Sequence, residues 1–247
     1  MEAMNSSHVL LASLLFISVS CTSLSPDAAV VTAAQQEHIT PDQALERLQR
    51  GNARFASGRL LHRNLKKQVH QTHAQGQHPF ACVLSCIDSR TSSELIFDQG
   101  IGDIFNARVA GNVVSDDVLA SLEYACQHAH AKLVVVIGHT KCGAVTGAVP
   151  SAKPAAHDSH ESEDSKNLVN LIGKIKPALA ATKTAPGTAR TSENGAFIDQ
   201  VAKNNMCLSV AAIRQQSPVL REMGKEGTIK IVGGMYDTHD GTVTFLK

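Results

Sequence analysis

The stretch KLVVVIGHTKCGAV, residues 132–145, decides the fold of this chain. Its first part, Leu133–Ile137, is a continuous run of aliphatic and mostly β-branched residues, which is typical of a central parallel strand covered on both faces. His139 and Cys142 follow almost at once, so two side chains that can bind a metal come directly after the predicted strand. In a parallel sheet, such side chains reach the crevice at the carboxyl ends of the strands, where ligands bind.

Short apolar runs alternate with helical patterns on both sides of this strand. Further strands are predicted over 80–87, 103–109, 227–236 and 241–246. Helices are predicted over 40–57, 64–75, 115–129, 168–179 and 196–215. The alternation predicts an α/β fold, namely a three-layer Rossmann-like domain over 35–247 with a central, mostly parallel β-sheet flanked by helices. We also expect an N-terminal helical arm over 40–75 and a surface loop over the polar stretch 150–166.

The composition is that of a globular protein with little net charge. Among the 247 residues, Lys and Arg number 23 and Asp and Glu number 22, so no general attraction to nucleic acid is expected. Aromatic residues make up 4% of the chain and Trp is missing, which leaves no obvious stacking platform for bases. The composition therefore excludes a strongly basic nucleic-acid binder and favours a soluble globular protein.

The N-terminal region has the pattern of an export signal. Residues 9–19, VLLASLLFISV, suit the apolar core of a signal peptide and are too short for a transmembrane helix. We therefore expect 1–34 to be a signal peptide and tether, and the protein to be exported to a periplasm. Cys21 follows small residues, so a lipid anchor at its thiol is an option, although no Lys or Arg precedes the apolar run. The alternative for this region is a disordered N-terminal extension.

A second functional motif, Cys86-Ile-Asp88-Ser-Arg90, follows the first predicted strand. Because the carboxyl ends of neighbouring parallel strands meet at one edge of the sheet, Cys86 is expected beside His139 and Cys142. Two thiolates and one imidazole favour zinc, and three protein ligands leave a fourth tetrahedral position open, as in catalytic sites. Asp88 and Arg90 can pair, which would fix the carboxylate. Alternatively, Asp88 is a fourth zinc ligand in a closed state, or the pair is an ordinary surface ion pair.

Two further cysteines and four histidines of the domain are expected to have no metal role. Cys126 and Cys207 fall on apolar faces of predicted helices, so we expect both to be small core residues. Two pairs of histidines are expected to be solvated, namely His70 with His73 and His157 with His160.

With these two motifs the sequence resembles the β-class carbonic anhydrases. The resemblance covers most of 40–247 and is carried by 81–112, 115–129, 132–145 and the last two predicted strands. It implies one Zn2+ per chain, bound by Cys86, His139 and Cys142, and a catalytic dyad of Asp88 and Arg90. It also implies that Gln99 and the backbone N–H of Gly143 bind substrate.

The resemblance implies zinc-dependent, reversible hydration of CO2 to bicarbonate and a proton, by a zinc-bound hydroxide that the Asp-Arg dyad orients. It further implies a homodimer or homotetramer in which the helix over 40–57 embraces a neighbour. Two alternatives stay open, a carbon disulfide or carbonyl sulfide hydrolase on the same site and a non-catalytic secreted zinc-binding module. Thr91-Ser92 stand where many members have Val-Pro, and without Trp the Trp-based regulatory bicarbonate site of some members cannot form.

Overall fold

The centre of the molecule is a five-stranded sheet with the strand order β2-β1-β3-β4-β5. The computed structural model describes residues 28–152 and 166–246. The strands are β1 (Ala81–Ser85), β2 (Ile104–Arg108), β3 (Leu133–His139), β4 (Lys230–Tyr236) and β5 (Val243–Phe245). Strands β1 to β4 are parallel and β5 is antiparallel to β4, which confirms the predicted mostly parallel sheet.

Helices cover both faces of the sheet. They are α1 (Ala33–His38), α2 (Pro41–Ala56), α3 (Leu65–Gln75), α4 (Ser93–Ile96), α5 (Asp116–Glu123), α6 (Gly143–Ala148), α7 (Lys166–Gly173), α8 (Lys176–Ala181), α9 (Gly195–Gln216) and α10 (Pro218–Lys225). Helix α5 continues into a π-helical turn, Tyr124–His128. None of the helices in the described ranges is long and apolar enough to cross a membrane.

The three layers follow from the alternation of side chains along the central strand. All seven residues of β3 are buried, as its unbroken apolar run predicts. Val134 and Val136 pack in the cluster that includes residues of α5, α9 and α10, whereas Leu133 and Val135 pack in the opposite cluster with residues of α2. Successive strand residues point to opposite faces, so each face of β3 contributes to one of the two cores. The predicted α/β three-layer fold is confirmed.

Helix α2 begins where the sequence predicts and packs against the chain's own sheet. The Thr40 side chain accepts a hydrogen bond from the backbone N–H of Gln43, and the Gln43 side-chain oxygen accepts one from the backbone N–H of Thr40, which completes a capping box. Ala44 and Leu48 are fully buried in the core on one face of the chain's own sheet. Helix α2 is therefore a layer of its own domain, and its contact with a neighbouring chain stays a prediction.

The segment before α2 also belongs to the fold, contrary to the predicted tether. Val31 is 2% exposed, and its backbone N–H donates a hydrogen bond to the buried carboxylate of Asp103. The Gln36 side-chain amide in α1 donates to the carbonyl oxygens of Pro79 and Ala129, at 2.7 Å each. These contacts attach the chain from Ala28 onward to the amino-terminal ends of β1 and β2.

Other expectations were wrong in detail. The helix predicted over 168–179 is two helices, α7 and α8, because Pro177 lies in the first turn of α8 and cannot continue a helix from the N-terminal side. Helix α10 was not predicted. Cys126 is buried as expected, but Cys207 is exposed and is not a core residue.

Some predictions fall on residues that the structure does not describe. They concern the signal peptide with Cys21, and the part of the predicted surface loop that contains His157 and His160. His70 and His73 do lie within the described residues. Both are exposed on α3, as expected for a solvated helix face.

Candidate metal site

Three potential metal ligands meet at the carboxyl ends of β1 and β3. Cys86 directly follows β1, His139 is the last residue of β3, and Cys142 precedes the first turn of α6. Strands β1 and β3 are paired side by side, so their ends bring the three residues together. All three side chains are buried, and their ligand atoms lie within 4.8 Å of one another. Within the described ranges, this is the one cluster of such groups.

The orientation of His139 fits a metal ligand. Its Nδ1 lies 2.9 Å from the carbonyl oxygen of Thr140, so Nδ1 carries the proton and donates it there. The other ring nitrogen, Nε2, is buried and has no hydrogen-bond partner among the described residues. A buried polar atom without a partner is costly, and a metal ion at Nε2 satisfies it.

The two thiols interact directly. A hydrogen bond with the Cys142 thiol lowers the pKa of Cys86 far below its usual value, and the same bond together with burial raises the pKa of Cys142. The Cys86 sulfur is thus the easier of the two to deprotonate, and a bound divalent cation favours the loss of both protons. Two thiolates and one imidazole nitrogen are a donor set that suits zinc.

Asp88 and Arg90 form the predicted pair beside this cluster. The Arg90 guanidinium donates two hydrogen bonds to the Asp88 carboxylate, at 2.9 and 2.8 Å, and the Arg90 backbone N–H donates a third at 3.0 Å. These bonds hold the pKa of the Asp88 carboxyl well below its usual range. Asp88 is 17% exposed and Arg90 47%, so the pair lies at the mouth of the site. In this arrangement Asp88 is held by Arg90 rather than placed among the three ligand atoms.

Gly143 lies where the sequence predicts, next to a ligand. It is the first residue of α6, and the first N–H groups of a helix have no partner within the helix. Apart from its chain neighbours and the backbone of its own helix, no described atom stands within 4 Å of where a side chain of Gly143 would begin. Open space is therefore present beside the Gly143 backbone.

Gln99 is not brought to the site. Its side-chain nitrogen donates to the carbonyl oxygen of Phe97 at 2.5 Å, and its side-chain oxygen accepts from Arg47 at 3.2 Å. Arg47 also pairs with Asp103, which immediately precedes β2, so Gln99 lies at the amino-terminal ends of the strands. Strand β1 separates the two ends by about 15 Å. The structure does not support the expected contact of Gln99 with substrate in its own chain.

Sequence reasoning missed the residues that hold the ligand turns in place. Lys141, between two ligands, has a φ of 54°, a left-handed conformation that is unfavourable for a residue with a side chain. The Asp199 carboxylate on α9 accepts the Lys141 N–H at 2.8 Å, and Arg90 donates to the Lys141 carbonyl oxygen at 3.4 Å. An aspartate in a distant helix carries no sequence signal for such a role.

The fold and this donor set define an α/β protein with a three-ligand, zinc-type centre that leaves room for a fourth ligand. The family model described as "Carbonic anhydrase" matches residues 81–243, and the chain belongs to that family. Members of the family are carbonate dehydratases, which are lyases. Zinc is the metal of the β-class, and Cys86, His139 and Cys142 are placed to hold it.

Individual relatives agree with this assignment. A carbonic anhydrase of Mycolicibacterium smegmatis is 33% identical over 82% of this chain and 92% of its own. The solved β-carbonic anhydrase CafA of Aspergillus fumigatus is 26% identical, with a TM-score of 0.56 over 83% of this chain and 90% of that one. A structure from a study of two tetrameric β-carbonic anhydrases of Sordaria macrospora is 22% identical, with a TM-score of 0.57 over 74% and 92% of the two chains. This last likeness shows the fold alone.

Proposed function

We propose that the chain catalyses the reversible hydration of CO2 to bicarbonate and a proton, with Asp88 and Arg90 as its catalytic dyad. The observation that carries the proposal is the buried Nε2 of His139, which has no partner within 28–152 and 166–246 and lies beside two thiols, in a chain of this family. Cys86, His139 and Cys142 would hold a zinc ion, whose Lewis acidity would lower the pKa of a bound water molecule toward neutrality.

The residues of the chain orient the reactants. Asp88 is held by two guanidinium N–H bonds, so its carboxylate has a fixed direction and accepts a hydrogen bond from the attacking water. Arg90 keeps Asp88 ionised and in place. The free N–H of Gly143 donates to an oxygen of bicarbonate from the open space beside α6. Gln99 stays a predicted substrate-binding residue of the assembled protein, although in its own chain its amide is bonded to Phe97 and Arg47.

The assembly and the location of the protein are part of the same proposal. The Sordaria macrospora study names its β-carbonic anhydrases tetrameric, and we propose a homodimer or homotetramer for this chain. The apolar stretch 9–19 supports export to a periplasm. Size-exclusion chromatography with light scattering measures the oligomeric state. Fractionation of cells that express the full chain measures the location.

Stopped-flow CO2 hydration by the zinc-loaded protein tests the activity, across roughly pH 6.5 to 9. Asp88→Asn is expected to lower kcat by at least about 100-fold, because the neutral amide loses its charge-assisted bonds to Arg90 and is a weaker acceptor for the attacking water. Asp117→Asn is the matched control, since Asp117 is exposed in the first turn of α5 and lies outside the site.

Two results would contradict the proposal. A zinc-loaded wild-type protein without hydration above buffer at any pH would refute CO2 hydration, and the same protein would then be assayed with carbon disulfide and carbonyl sulfide. Turnover of these substrates would identify a hydrolase, whereas no turnover would identify a non-catalytic zinc-binding module. Equal activity of Asp88→Asn and Asp117→Asn would refute the role of the dyad.

A further inference from the structure

The ligand sulfur of Cys86 receives a hydrogen bond from the backbone. The N–H of Gly111 donates to the Cys86 Sγ at 3.3 Å, a normal length for a bond to sulfur. Gly111 has a φ of 69°, and a Cβ on it would stand 2.7 Å from the buried Ile175. Glycine is therefore required here for two reasons, the left-handed backbone and the close approach of Ile175.

Glycine satisfies these requirements but leaves its own backbone free to rotate. Without a Cβ, Gly111 has access to many conformations, and only some of them direct its N–H at the sulfur. The bond to Cys86 therefore needs something else to fix the backbone around Gly111. The neighbouring helix α9 provides it.

The side chain of Asn205 on α9 binds the carbonyl group of Gly111. Asn205 is 3% exposed, and its amide nitrogen donates to the carbonyl oxygen of Gly111 at 2.7 Å. One helical turn later, the Ser209 hydroxyl donates to the carbonyl oxygen of Asn112 at 3.0 Å. Two consecutive carbonyl groups of the loop are thus bonded to one rigid helix.

We propose that Asn205 is a positioning residue for the zinc ligand Cys86, acting through Gly111. By holding the Gly111 carbonyl group, Asn205 keeps the N–H of the same residue directed at the ligand sulfur. A hydrogen bond to a ligand thiolate withdraws electron density from it and fixes its direction, which is how groups around a metal site tune the metal. The inference deepens the proposed function, and it rests on the zinc site of that proposal rather than on the reaction.

The test compares Asn205→Ala with Asn204→Ala. Asn204 is the preceding residue of the same helix, and its amide donates to Thr182 rather than to a ligand loop, so it is a matched control. Asn205→Ala is expected to weaken zinc binding by roughly 10- to 100-fold, measured by competition with a chelator. In the cobalt-substituted protein, its thiolate-to-cobalt absorption is expected to move to longer wavelength, because the Cys86 sulfur becomes more electron-rich. Asn204→Ala is expected to leave both quantities at the wild-type value.

A merely structural role of Asn205 would lower the thermal stability without changing the cobalt spectrum, and that result would overturn the proposal. Equal zinc affinities in the two variants would overturn it as well. If Asn205→Ala does not fold, hydrogen exchange of the Gly111 amide in the wild-type protein decides. The amide is expected to be protected when zinc is bound, and rapid exchange would show that the bond to sulfur does not exist. Since none of these readouts is CO2 hydration, a protein that binds zinc but does not hydrate CO2 would refute the proposed function alone.

Discussion

Val31→Ala tests whether the segment before α2 is part of the folded domain. Val31 is 2% exposed and packs in the core on one face of the sheet, together with Phe80. A flexible tether would tolerate this substitution without any change in stability. A packed segment would not, because the substitution removes two buried methyl groups and leaves a cavity.

The expected loss follows from the burial of these groups. Each buried methyl-sized group contributes about 0.8 kcal/mol, so the transfer of the two groups and the cavity together amount to about 2 kcal/mol. For a chain of this length, 1 kcal/mol corresponds to about 2–4 °C in Tm, so the expected fall is about 4–8 °C. Since the backbone N–H of Val31 still donates to Asp103 in the variant, the difference reports the side chain alone.

Differential scanning calorimetry of the zinc-loaded variants measures this difference. Val30→Ala is the matched control, because the neighbouring valine is only half-buried and lies outside both sheet cores. A chain that begins at Gln35 is expected to lose stability in the same direction, since it also lacks the bond to Asp103. Equal Tm values for Val31→Ala and the wild-type protein would refute the reasoning and restore the interpretation of a tether.

Three further outcomes are expected. Asp199→Ala should increase zinc loss to a chelator by about 10-fold. Asp199→Asn keeps an acceptor for the Lys141 N–H and should not increase it. Equal zinc loss from the two variants would contradict the role of that hydrogen bond. Asp98→Asn should lower the free energy of unfolding in urea by about 3–5 kcal/mol, because the buried Asp98 carboxylate pairs with two arginines. An unchanged urea midpoint of unfolding would contradict this prediction. Iodoacetamide should label the exposed Cys207 well before Cys126, whose pKa burial raises to about 12; similar rates by peptide mass spectrometry would contradict the burial.

The sheet and the metal ligands could be predicted because their signals are local. The run Leu133–Ile137 has no polar interruption, which only a strand buried on both faces tolerates, and the structure buries all of β3. The ligands follow directly after strands, so the rule that parallel strands end at one edge was enough to bring Cys86 to His139 and Cys142.

Two errors arose from signals that were present but not used. Thr32 and Gln35 form a capping box at the start of α1, as Thr40 and Gln43 do at the start of α2. The pattern that predicts α2 therefore also indicates α1. The Ser217 side chain accepts a hydrogen bond at the start of α10, and a proline follows Ser217. A serine followed by a proline is a common pattern at helix starts, and it indicates α10 in the same way.

Other features had no sequence signal. The substrate-binding role of Gln99 was predicted from the resemblance to the family. The contacts of its side chain depend on the packing of α2, which brings Arg47 to the Gln99 amide. The bonds from Asn205 to Gly111 and from Asp199 to Lys141 join residues that are distant in the sequence. Nothing in the residue types at either end of these bonds distinguishes them from ordinary polar positions on a helix.

The position of α9 in the chain has a consequence for the order of biosynthetic events. Ribosomes release all three ligands before they release α9, which carries the side chain that holds Gly111. Cys86 and His139 are more than fifty residues apart and meet only when β1 pairs with β3. A nascent chain that ends before α9 therefore has the three ligands but not the Asn205 side chain that holds Gly111. A metal site in such an incompletely folded chain has little affinity for the metal. We therefore expect metal loading to be a late step, completed after α9 has packed.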